Sequence, residues 1–178
     1  MARPGTPPSD KRVAPALLDR LIDLDPDLSA DPPLTEAETV IGLRAALRRD
    51  LEMLLNTRCV PDTPPDHLPA LEDSVLTYGT LDFFSADLNT DMQRNAFAAE
   101  VQRRIERFEP RLENPQVTLV SDPVPSRRHL RLRIKARHVA RPGLPPIIFE
   151  TAMDPVAGHF SVTETGGATA RPEGRSRG

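Results

Sequence analysis

The sequence is poor in aromatic residues: six Phe and one Tyr make up 4% of the chain, and Trp is absent. So thin a supply leaves little on which nucleic-acid bases could stack. A net charge of −3 argues further against a molecule that binds nucleic acid by overall electrostatics. The single cysteine, Cys59, excludes an internal disulfide and a thiol-rich zinc site. Apolar runs fall well short of the roughly 20 residues that span a bilayer. No apolar h-region follows Met1. A soluble, cytoplasmic protein with no nucleic-acid partner and no direct membrane insertion is therefore expected. What the chain has in excess is proline, 20 in 178 residues, roughly twice ordinary usage. That density excludes an all-helical bundle and a continuous coiled coil. The length suits one cored domain.

Residues 1–14 and 165–178 hold too little apolar surface to offset their ordering entropy and are expected to be disordered tails. The span 15–164 is expected to form a single domain. A short helix is predicted over 15–24, starting at Pro15 and stopping before Pro26. Thr35 with Glu38 forms a T-x-x-E capping box. Behind it Val40, Leu43, Leu47, Leu51 and Leu54 recur at helical spacing, giving a helix that ends near Asn56. A loop follows over 60–70, with four prolines, then a helical turn closed by Gly79. Asn89 or Thr90 caps a further helix with Phe97, Val101, Ile105 and Phe108 on one face, and Pro110 ends it, pressing Glu109 toward extended backbone. After Pro115 the period changes to two. Strands are predicted over 117–121, 129–139, 146–153 and 159–163, with a hairpin turn at 154–158. Helices first and strands later give an α+β fold: a small, mostly antiparallel sheet of three to four strands packed against N-terminal helices.

No catalytic motif is present: no Gly-rich phosphate loop, no G-x-S-x-G and no H-E-x-x-H. The four histidines are scattered, and Cys59 has no base at a recognisable spacing. No cofactor or metal is expected. Two features stand out. Seven cations, among them Arg131, Arg133, Lys135 and Arg137, fall within residues 127–141 with no acid between them. They make a solvated sheet face or a site for an acidic protein partner; nucleic acid is a third reading, weakened by the overall acidity and the lack of aromatics for stacking. Arginines 107 and 111 also flank Glu109 and Pro110 at a helix end. If exposed, that pairing is worth about 0–1 kcal/mol. Its functional reading is a preordered surface knob that a partner grips, Glu109 and Arg111 making charge-assisted contacts across the interface. A glycosidase acid at Glu109 is disfavoured because neighbouring cations stabilise the ionised form.

Four stretches in order, 17–24 (LLDRLIDL), 49–58 (RDLEMLLNTR), 74–79 (SVLTYG) with Asp82 and Phe83, and 105–112 (IERFEPRL), resemble the TssE family of type VI secretion baseplate subunits. That family belongs to the contractile-phage baseplate wedge proteins labelled gpW/lysozyme-like. The resemblance covers residues 15–163. It implies a non-enzymatic scaffold at the inner face of the cell envelope that joins the wedge proteins TssF and TssG, contacts the TssB and TssC sheath, and helps start its assembly. TssK is a further candidate partner. The family's assembly motifs fall on Leu21, Ile22, Asp23 and Leu24, and on Glu109, Pro110 and Arg111. Its later strands are implied to accept a strand from the sheath. The residues leave two other classes open: a peptidoglycan-cleaving, lysozyme-like glycosidase with Asp82 or Asp87 beside Glu109, and a regulatory adaptor using the sheet edge.

Overall fold

The computed structural model describes residues 21, 35–60, 64–65, 67–81, 90–121, 130–139, 143, 145–154 and 157–165. The chain forms two compact units, residues 1–47 and 48–178. Helix α1 (Glu36–Asn56) begins in the first and continues into the second. Its start is the predicted capping box: Glu38 N–H donates to Thr35 Oγ1 (3.2 Å), and Thr35 N–H donates back to Glu38 Oε2 (2.8 Å). The Thr35 hydrogen bonds hold the Glu38 carboxyl below its ordinary range. Farther along the helix Ala46 and Leu47 are buried.

In the second unit Leu51, Leu54 and Leu55 continue the buried side of α1. The chain then turns through two short 3-10 helices, Pro69–Asp73 and Val75–Thr77. It returns beside the end of α1, where Arg58 and Thr80 form a parallel bridge. Gly79 makes that return possible. Its φ is +106°, and a side chain there would collide with the Thr57 carbonyl oxygen. Helix α2 (Asp91–Phe108) is capped at Thr90 by a complete box with Gln93, worth about 1 kcal/mol. Phe97, Ala98, Val101 and Ile105 form its buried stripe. Phe97 stacks on Phe160 (6.4 Å between centroids), and Phe108 meets Tyr78 edge-on (5.3 Å).

The sheet is a four-stranded antiparallel meander in the order β1 (Leu112–Leu119), β2 (Arg131–His138), β3 (Ile147–Asp154), β4 (His159–Glu164). The fold is α+β, with α2 packed on β1. Alternation is strict on β2: Leu132, Ile134, Ala136 and His138 are buried, while Arg133, Lys135 and Arg137 are exposed. Two expectations are corrected. β1 starts at Leu112, not at 117, and runs through Pro115. Proline is tolerated there because β1 is an edge strand and the register shifts between Glu113 and Gln116. Asn114 makes the shift with φ +50°, a conformation asparagine adopts more readily than most residues. Glu109, for its part, leaves the helix at φ −123°, ψ 73°, short of extended backbone. Its N–H still bonds the Ile105 carbonyl (2.9 Å).

Candidate functional site

The turn from α2 into β1 carries a chain of four linked charges, Arg49, Asp50, Arg111 and Glu109. Glu109 is 5% exposed. Arg111 grips its carboxylate with both arms of the guanidinium, Nε to Oε1 at 2.6 Å and Nη2 to Oε2 at 2.5 Å. The same Nη2 donates to Asp50 Oδ2 on α1 at 2.6 Å, and Arg49 Nε donates to Asp50 Oδ1 at 3.1 Å. Glu109, and then Asp50, raise the Arg111 guanidinium above its ordinary range against the cost of burial. Burial, with the negative charges of Asp50 and Glu109, raises the Tyr78 phenol as well. The local ion pair read from sequence is thus a part-buried lock that ties the turn before β1 to α1. Arg107, the other flanking arginine, instead pairs with Glu72 (2.7 Å) and Asp73 (3.1 Å). Pro110 is exposed at the tip of the turn. The surface-knob expectation therefore changes: the Glu109 carboxylate is spent inside the protein, and Pro110 is what the turn presents. The same geometry leaves a glycosidase acid no free oxygen at Glu109. Asp82 and Asp87 lie outside the described residues.

Of the N-terminal motif, Leu21 is helical and 73% exposed; Ile22, Asp23 and Leu24 lie outside the described residues, as do Arg127, Arg128 and Arg141, and residues 1–14 and 166–178 of the expected tails. The basic strand resolves unevenly. Arg133 bonds Glu150 across β2 and β3 (Nη2 to Oε1, 2.6 Å), and Arg137 reaches Glu113 across β1 and β2 (3.4 Å). Arg131 and Lys135 make no ion pair among the described residues.

The two sheet edges differ, which sequence reasoning missed. In β4, Thr165 N–H bonds the Ile148 carbonyl (2.8 Å), so by antiparallel alternation Phe160 and Val162 turn their peptide groups outward. Side chains of α1 occupy them. Asn56 Nδ2 donates to the Phe160 carbonyl (2.9 Å), and Asn56 Oδ1 accepts from its N–H (2.7 Å). Val162 N–H donates to Glu52 Oε2 (3.3 Å), and Arg48 Nη1 donates to the Val162 carbonyl (3.5 Å). A polar i, i+4, i+8 stripe thus acts as a surrogate strand. The available signal was Arg48, Glu52 and Asn56 running beside the apolar stripe. In β1, Val120 N–H bonds the Arg131 carbonyl (2.9 Å), so Val117 and Leu119 face outward. Gln102 Oε1 on α2 takes the Val117 N–H (3.2 Å). Among the described residues nothing takes the Leu119 peptide group.

A groove of about 800 Å³ lies between α2 and the stretch around Cys59, Val60 and Leu81. Its charged walls are largely paired with one another: Glu100 with Arg103 (2.6 Å) and with Arg104 (2.7 Å), and Arg107 with Glu72. Among the described residues no group of three His, Cys, Asp or Glu side chains is placed to hold a metal ion, and no helix is long and apolar enough to cross a membrane. Compared with known proteins, residues 42–143, more than half of the chain, match the family model described as baseplate wedge protein gp25. No match was found among curated proteins or solved structures.

Proposed function

The chain belongs to the family of baseplate wedge protein gp25, a structural component of phage-like baseplates, and from that premise we propose that it is a non-enzymatic subunit of a type VI secretion baseplate. In this reading it joins the wedge proteins TssF and TssG to the base of the TssB and TssC sheath, at the inner face of the cell envelope, and gives the sheath its starting point. TssK is a further neighbour in the same assembly.

The observation that carries the reading is the asymmetry of the sheet. One edge is filled by Arg48, Glu52 and Asn56 from the chain's own helix; on the other, Gln102 takes the Val117 N–H, and the outward peptide group of Leu119 has no partner among the described residues. A sheet with one guarded edge and one open edge accepts a partner strand in one place only. The part-buried Glu109, Arg111 and Asp50 lock sits at the head of β1 and fixes the turn that presents Pro110. Its part in assembly is to hold that docking edge rigid, so that little entropy is lost when a partner strand arrives. Exposed Leu21 supports a second contact, in which Leu21, Ile22, Asp23 and Leu24 pack on a wedge partner.

Leu119→Pro tests this. The outward N–H of Leu119 has no ladder partner, so an edge proline removes a docking group while costing the monomer about 1 kcal/mol or less. Cells carrying the variant should hold a folded chain and fail to start sheaths. Normal sheath numbers with a folded Leu119→Pro chain would remove β1 as the docking edge.

A further inference from the structure

We propose that the open face of the sheet seats an acidic, amphipathic helix of a neighbouring subunit, held along β2 by Arg131 and Lys135. This rests on the reading of the chain as an assembly subunit and adds a contact separate from the β1 edge.

Residues paired across an antiparallel ladder point to the same side. The register therefore places Arg131 beside Ala152, Arg133 beside Glu150 and Lys135 beside Ile148. On the next strand Ser161 lies beside Ala152 and Thr163 beside Glu150. The face is built in strips. Among the described residues the β2 cations alternate in state: Arg131 has no ion pair, Arg133 is spent on Glu150, and Lys135 has no ion pair. Along β3, Ile148 and Ala152 are half-buried apolar spots next to Lys135 and Arg131. Along β4, two strands from the cations, Ser161 and Thr163 add short polar side chains beside Ala152 and Glu150.

A purely solvated face needs no apolar spots beside its cations, whereas an amphipathic helix covers them. Arg131 and Lys135 are separated by about 13 Å of strand, close to the roughly 10–12 Å between helix positions seven or eight apart. Two carboxylates at that spacing would each meet one of these two cations, and the apolar stripe between them would cover Ile148 and Ala152. Desolvating those two spots and forming two charge-assisted contacts supplies both affinity and register. Nucleic acid fits less well. The face carries no Phe, Tyr or Trp for stacking.

The chain has only two lysines, Lys11 and Lys135, which gives a selective test. A carbodiimide joins an amine to a carboxylate in contact with it, forming an amide while the reagent takes up the water. The assembly is isolated from native cells through a tag on this chain, treated with carbodiimide, digested and sequenced. Lys135 should be linked to an Asp or Glu of another subunit, in a peptide with apolar residues at helical spacing. Arg131→Glu should lower that yield about tenfold, as losing one charge-assisted contact implies. Reversing the linked partner acid's neighbour two turns away to Lys should restore it. Arg137→Glu, which breaks only the exposed pair with Glu113, should leave the yield within about twofold. Each variant's melting curve should match the parent's, since the substituted side chains lie on the open face.

An intact assembly in which Lys135 is unlinked, or linked only to this chain's own carboxylates, overturns the proposal and leaves the assembly role standing. Release of the chain by nuclease, with Lys135 unlinked, assigns the cations to nucleic acid and overturns it as well. A tagged chain that brings down no baseplate subunit refutes the assembly role, and the proposal with it.

Discussion

Replacing Arg111 by methionine removes the cation that serves two carboxylates and keeps most of the side-chain volume. Three hydrogen bonds of 2.5–2.6 Å disappear. They leave Glu109, with 7% of its side chain exposed, and Asp50, with 20%, facing each other without their shared partner. Breaking a buried pair by deleting one member costs about 3–5 kcal/mol. Arg49 still reaches Asp50, and Arg111 is itself 27% exposed, so the low end, about 3 kcal/mol, applies. For a chain of this size that is a fall of about 6–12 °C in Tm. The assay is urea and thermal unfolding followed by far-ultraviolet circular dichroism, with an unchanged m-value required for the comparison. Removing all three charges in Asp50→Asn, Glu109→Gln, Arg111→Met should recover most of the loss, because no buried charge is then left alone. Arg111→Lys should fall between, since an ammonium cannot make the forked contact. A loss below about 1 kcal/mol in Arg111→Met would mean the pair behaves as a surface ion pair, and the lock would be refuted.

Tyr78 is the only tyrosine and there is no tryptophan, so phenolate absorbance reports it alone. Burial, then Asp50 and Glu109, favour the neutral phenol. Its midpoint should lie above 10.0, and the stability it contributes should be full below that pH and vanish as pH rises through the folded-state value; a midpoint at or below the ordinary one refutes this. Asn56→Ala should cost about 1–2 kcal/mol, speed hydrogen exchange at the Phe160 amide and, combined with Glu52→Ala, promote self-association through β4. A monomeric double variant with the Phe160 amide still protected would show that the helix does not guard that edge. Gly79→Ala should cost about 3 kcal/mol or more, because a left-handed residue and a collision with the Thr57 carbonyl coincide; a melting temperature within a degree or two of the parent's would contradict it.

Local chemistry was legible in the chain itself. The Thr35 and Glu38 box, the Phe97, Val101 and Ile105 spacing and the alternation on β2 each follow from short-range rules that the fold obeys. The exceptions depend on partners far away in sequence. Pro115 looked like a boundary because nothing nearby announces that β1 is an edge strand, where a missing N–H costs little. Glu109 and Arg111 looked like a surface pair because Asp50, the third member, lies on another helix. The basic strand looked uniform because only the register of β2 against β1 and β3 reveals which cations are already paired. The guarded β4 edge was hardest to see. Arg48, Glu52 and Asn56 are an ordinary polar stripe until the strand beside them is known.

Imaging a fluorescent sheath subunit in living cells that lack this chain is the most direct test of a scaffold role. Diffuse fluorescence with no assembled sheaths is the expected result, with assembly restored when the unaltered chain is supplied. Sheaths that form and contract at the normal frequency without it would contradict the role assigned to this protein.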